Sequence, residues 1–244
     1  MFSELPAAIG YPDESGMSNY YPSKAPITKP EIEELNSILT RHLDLRNTRL
    51  IKNEDGGEAQ YDLLIASERT VHSSDEDKDS RPYKDDRQIR LRYGDHSEAL
   101  REMCGRLQKA QEHAGKEVRR TYLQNLIASF RTGSIEDHKK ASVFWVQDNE
   151  PNVEAWSGFL ESGRDPSGIR CEFEAFVTVK DKTWTKAFDE LAKQAGHYIS
   201  KLPWVSPTAS NSLGDFENEQ FARPSFTALN SKYSYLPCSK RTTY

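Results

Sequence analysis

Apolar residues first fall into step at ITKPEIEELNSILTRHL, where Ile32, Leu35, Ile38, Leu39 and Leu43 share one face at helical spacing. Thr28 and Glu31 form a T-x-x-E capping box ahead of that face, with Pro30 at an early helical position. The period then drops to two. In NTRLIKNEDGGEAQYDLLIAS two apolar runs flank Asp55-Gly56-Gly57, which predicts a hairpin. RQIRLRYGD predicts a strand, with Ile89, Leu91 and Tyr93 alternating with Gln88, Arg90 and Arg92 until Gly94 and Asp95 break it.

Helical spacing returns from Ser97 to about Ala114, through Leu100, Met103, Leu107 and Ala110. A second helix carries Val118, Tyr122, Leu126 and Phe130 to a stop at Gly133. Ser134 caps a third, with Asp137 in the acidic position of the box, running through HKKASVFWVQD. VEAWSGFLE and CEFEAFVTVK then read as a hairpin around RDPSG. Phe173, Ala175, Val177 and Val179 should face one way, and Glu172, Glu174, Phe176 and Thr178 the other. A helix from about 182 to 201 keeps Trp184, Phe188, Leu191, Ala195 and Ile199 in step.

Three stretches show no period. Residues 1–27 read as extended, with GMSNYYPS packing as an irregular strand because its tyrosines need a surface; 71–87 reads as a solvated loop; the pattern fades beyond Ser206. The element order predicts an α+β fold of mixed helices and mainly antiparallel strands.

Composition narrows the function classes. Of 244 residues, 36% are hydrophobic and 29% charged, enough for one or two cores under a very polar surface; mean hydropathy is -0.80. A net charge of -5 without a basic block argues against nucleic acid. No apolar run reaches a membrane span, and MFSELPAAIGYPDESG lacks the features of a secretory signal. Cys104, Cys171 and Cys238 are widely spaced, with no C-x-x-C, and fit reduced thiols in the cytoplasm.

Motif chemistry is sparse. The histidines (His42, His72, His96, His113, His138 and His197) form no H-E-x-x-H pair, and no nucleophile elbow or phosphate-binding glycine loop is present. His138 reads as a surface or capping histidine, and His197 as a complement to a helix dipole. Five carboxylates crowd the second hairpin: Glu154, Glu161, Asp165, Glu172 and Glu174. Alternating Glu is the ordinary wet side of an antiparallel pair, and Asp165 before Pro166 is a turn former. Glu154 is the exception. Trp156 shares its side of the strand and Gly158 follows two further on, so an acid beside an aromatic and a bare backbone could hold an amine.

NTRLIK, FRTGSIEDHKKASVFWVQD, VEAWSGFLESGRDPSGIRCEFEAFV, KLPW and RPSFTALN, in this order, resemble the dipeptidyl peptidase III family; GYPDESGMSNYYPS and ITKPEIEEL resemble its fungal members. The resemblance covers most of residues 5–230. It implies part of a two-lobed zinc-dependent hydrolase that releases N-terminal dipeptides from short peptides. The family's zinc helix, H-E-x-x-G-H, supplies two His ligands and a Glu base, and a later helix supplies a third ligand. This chain is expected to stop before that helix, as a fragment truncated at both ends. No catalytic residue and no metal ligand are expected in it, and no zinc is expected to bind to it.

Two positions carry over. Glu154 matches the acid that holds the peptide's free amino terminus. Trp156 matches a position where the family usually has a Tyr whose hydroxyl assists the tetrahedral intermediate, whereas Trp offers only an N–H of different reach. Gly163 stands where an aromatic is usual. The resemblance implies residues 1–174 as part of the sheet-containing lobe, 175–229 as the start of the helical lobe, and 230–244 as a divergent tail. The expected partners are short peptides, with no nucleic acid, no membrane and a monomeric state. Two alternatives stay open: a non-catalytic module that binds peptides or a partner, and a broken product that folds poorly because the helix from 182 has lost its neighbours.

Overall fold

A computed structural model describes residues 9–14, 16, 18–23, 26–55, 58–70, 81–82, 88–149, 151–199 and 201–203. Its contacts divide the chain into two units. The first holds the chain up to Trp145 and returns for Ser157–Ala175; the second holds Val146–Trp156 and the chain from Phe176 onward.

In the first unit, helix α1 (Lys29–Leu39) starts where its capping box places it. The Thr28 hydroxyl oxygen accepts from the Glu31 N–H at 3.4 Å, and Glu31 Oε2 accepts from the Thr28 N–H at 2.8 Å. Ile32, Leu35 and Leu39 are fully buried. They pack with residues of a four-stranded sheet ordered β1 (Thr48–Asp55), β2 (Glu58–Ala66), β4 (Gln88–Asp95), β3 (Arg81–Pro82). The hairpin pairs β1 and β2 antiparallel in an unbroken register from Thr48↔Ile65 to Asp55↔Glu58. β2 and β4 run parallel, Leu63 opposite Leu91, and β3 runs antiparallel to β4. Leu50, Leu63, Ile89 and Leu91 are buried in this core. Apart from Arg81–Pro82, the loop expected at 71–87 lies outside the described residues.

The tyrosines of GMSNYYPS find their surface without forming a strand. Tyr20 and Tyr21 are buried, and the Leu50 N–H donates to the Tyr20 carbonyl at 2.8 Å. The Lys52 N–H donates to Ser23 Oγ at 2.8 Å. The segment thus lies along β1, an edge strand of the sheet.

Helices α2 (Ser97–Glu112) and α3 (Glu117–Thr132) build a second core from Leu100, Cys104, Tyr122, Leu126, Ile127 and Phe130. Gly133 ends α3 with a left-handed φ of 78°, and a Cβ there would come within 2.7 Å of Ile65 Cγ2. Helix α4 (Ile135–Gln147) follows, with Ser134 Oγ accepting from the Asp137 N–H at 3.1 Å, as the sequence predicts.

β5 (Val153–Glu161) and β6 (Glu172–Val179) form the second hairpin. The Lys180 N–H donates to the Asn152 carbonyl at 2.8 Å, setting the start of β5 against the end of β6. The continuous helix expected from 182 to 201 is instead two pieces, α5 (Lys182–Lys193) and α6 (Ala195–Ile199), separated at Gln194. Asp181 caps α5 by accepting from the Thr183 and Trp184 N–H groups.

Candidate functional site

The two sides of β6 alternate as the sequence predicts, but the side that bears the acids is the less exposed one. Phe173, Val177 and Val179 are exposed, Val177 to 70%, while Glu172, Glu174, Phe176 and Thr178 are half-buried. Both sides of β6 carry apolar residues, so alternation alone does not decide which is covered. In the second unit, Trp156 stacks on Phe176 with ring centroids 6.0 Å apart and planes 17° from parallel. This offset pair draws its side of the hairpin inward.

Glu154 lies on that same side, two residues before Trp156, and is 8% exposed. Its Oε1 accepts from the Ala155 N–H at 3.2 Å. A carboxylate held on a strand is the group type that takes charge-assisted bonds from a cationic donor. Thr178 belongs to the same side of β6. The sequence reading singled out Glu154 and Trp156 and did not foresee the Phe176 stack, which depends on a partner strand rather than on a local motif.

The other acids belong to the first unit. Asp165 is buried and organises the turn: its carboxylate accepts from the Ser167, Ile169 and Arg170 N–H groups at 3.1, 3.0 and 2.8 Å, and from the Tyr21 hydroxyl at 2.8 Å. Arg170, fully buried, donates from Nη1 to Asn36 Oδ1 at 2.9 Å and to the Tyr21 hydroxyl oxygen at 3.3 Å. Burial pushes the Tyr21 phenol up to about 12. Glu172 pairs with Arg164 at 3.1 Å. Burial, then the charges of Glu161 and Glu172, raise Glu174 above the ordinary carboxylate range.

His138 is not the surface histidine that its polar neighbours suggest. It is 8% exposed and packs against Gly158, because β5 crosses α4 there without a side chain. Among the described residues, no group of three His, Cys, Asp or Glu side chains is placed to hold a metal ion, so zinc does not fit the donors described here. No helix among the described residues is long and apolar enough to cross a membrane.

Residues 2–232 match the model of Peptidase family M49. The chain belongs to Peptidase family M49. Among its relatives, Dipeptidyl peptidase 3 of Dictyostelium discoideum is 37% identical over 218 residues, covering 89% of this chain and 29% of the relative. The Homo sapiens protein of that name is 33% identical over 225 residues, with 89% and 29% covered. The Nematostella vectensis protein is 33% identical over 231 residues, with 89% and 30% covered. This M49 chain therefore spans about 30% of the length of the curated relatives it matches. Of solved structures, DPP III from Caldithrix abyssi aligns with a TM-score of 0.48 at 18% identity, over 76% of this chain and 30% of that one. Dipeptidyl-peptidase III from Corallococcus sp. strain EGB aligns with a TM-score of 0.46 at 18% identity, over 82% and 31%.

Proposed function

We propose that this M49 chain carries the amine-holding part of a dipeptidyl peptidase acting on short peptides, and that alone it binds the peptide amino terminus without cleaving it. The burial of Glu154 beside the Trp156–Phe176 stack carries this reading. A free amino terminus is a compact cation with several N–H donors. It pairs with a carboxylate, and a half-dry aromatic flank strengthens that pairing by lowering the local dielectric. Trp156 brings no hydroxyl to a reacting carbonyl, so its part here is packing and not proton donation.

The zinc chemistry of dipeptidyl peptidase III is assigned to other parts of the family's proteins, and residues 175–229 to the start of the lobe that carries it. The chain works in the cytoplasm, where its thiols stay reduced.

Titration calorimetry of the whole chain with a free-amine tetrapeptide and its N-acetylated counterpart tests the binding. The free amine should bind and the acetylated peptide should not; Glu154→Gln should weaken binding about tenfold or more, as loss of a charged hydrogen bond does. Equal binding of both peptides would sink the amine reading. A dipeptidyl-arylamide assay with added zinc should show no turnover; turnover abolished by a chelator would refute the second half.

A further inference from the structure

His138 projects from α4 onto β5 at the one residue there that has no side chain. A Cβ built on Gly158 would stand 2.4 Å from His138 Cε1 and 3.1 Å from each ring nitrogen, so the imidazole occupies the volume a side chain would need. The ring is nearly solvent-free, and the backbone holding it is fixed: the His138 N–H donates to the Ser134 carbonyl at 3.4 Å, and Ser142 Oγ donates to the His138 carbonyl at 3.1 Å.

The charged groups facing the ring come from the segment between α1 and β1. Arg46 opposes a positive imidazole and Asp44 favours one. Asp44, however, is already engaged: Arg46 grips it from Nε at 3.0 Å and Nη2 at 2.8 Å, and Lys139 Nζ lies 3.6 Å away. A proton added to His138 would therefore be a buried cation between a guanidinium and a bare backbone, and Asp44, the counter-charge beside it, is shared by two other cations.

We propose that His138 and Gly158 form a pH-sensitive latch: the neutral imidazole, seated on Gly158, closes β5 onto α4, and protonation unseats it. Burial, reinforced by Arg46 and opposed by Asp44, holds the His138 pKa below its ordinary value of 6.5. The neutral ring is thus the folded form. Its contact is complete above about pH 6.5, and is lost as pH falls through the lowered folded value, because the open state takes up the proton first. The latch acts on the strand that also bears Glu154 and Trp156.

Hydrogen exchange on the whole chain, corrected for the intrinsic pH dependence of amide exchange, tests the latch. Between pH 7.5 and 5.5 the amides of Gly158–Glu161 should lose protection up to about tenfold per pH unit below 6.5. The β1–β2 amides should not follow. His138→Asn, which cannot titrate, should abolish the difference. Protection independent of pH, or a pH dependence that survives in His138→Asn, would overturn the latch. Should that variant fail to fold, an NMR titration of the wild-type His138 Cε1 proton decides: a midpoint below 6.5 supports the latch and one at or above 6.5 rejects it.

Discussion

Asp165 accepts from three backbone N–H groups and from the Tyr21 hydroxyl, two residue clusters more than a hundred positions apart in sequence. Asp165→Ala would leave those donors buried together with the Arg170 guanidinium, and should cost about 3 kcal/mol in a urea melt. A cost under about 1 kcal/mol would mean that the network is not supporting the turn. Asp165 was legible as a turn former, since Asp-Pro-Ser-Gly is a local signal. Its hold on Tyr21 was not, because nothing near 165 announces a partner near 21. The same limit explains His138: in SIEDHKKAS it has polar neighbours, and only the arrival of Gly158 from elsewhere in the chain buries it.

Elements whose signals are local were read well. The α1 box joins residues three apart, and its geometry follows the sequence. Glu31 also receives Lys52 Nζ at 2.8 Å and the Tyr61 hydroxyl at 2.7 Å. Burial works against its charge, but the bonds from Lys52, Thr28 and Tyr61 outweigh it and bring its pKa down to about 2. The sign follows from the direction: the folded value lies below the unfolded one, so Glu31 stabilises the fold fully above about 4.5. That contribution is lost as pH falls toward about 2. In thermal melts from pH 6 to 2.5, Glu31→Gln should show a shallower acid decline than wild type. At pH 7, Thr28→Ala should cost about 1 kcal/mol. Parallel acid profiles for wild type and Glu31→Gln would contradict the assignment. Which side of β6 is covered was not legible, for a different reason. Alternation says which residues share a side, but burial is decided by what packs there, and Trp156 on Phe176 draws the acidic side inward.

At the scale of the whole molecule, α+β class and family were both legible, because ordered motifs integrate over the chain in a way no single element can. The contacts divide β5 and β6 each between both units. The second unit exposes Val177 and Val179 on β6 and Trp184 and Leu191 on α5, the last two 58% and 48% exposed, although helical spacing sets them in an apolar row. Exposed aliphatic and aromatic side chains of this kind bind hydrophobic dyes. The chain should enhance anilinonaphthalene sulfonate fluorescence at neutral pH, and the double variant Val177→Thr with Trp184→Gln should lose much of that signal without lowering the melting temperature. An unchanged signal would show that the dye reports loose packing elsewhere.

The segment of Tyr20 to Ser23 has a bearing on how the protein behaves in a crowded solution. By taking up the N–H groups of Leu50 and Lys52, it occupies the hydrogen-bonding rim that β1 would otherwise turn to its neighbours. A proteolytic nick or trimming that removes this cover leaves the α1 cap and the β1–β2 register intact within their own residues, yet uncovers an eight-residue strand with an open margin. Such a margin is a template for another chain to add to. The first hazard after trimming is then seeding of intermolecular sheet, and the handling life of the protein depends on a stretch that has no secondary structure of its own.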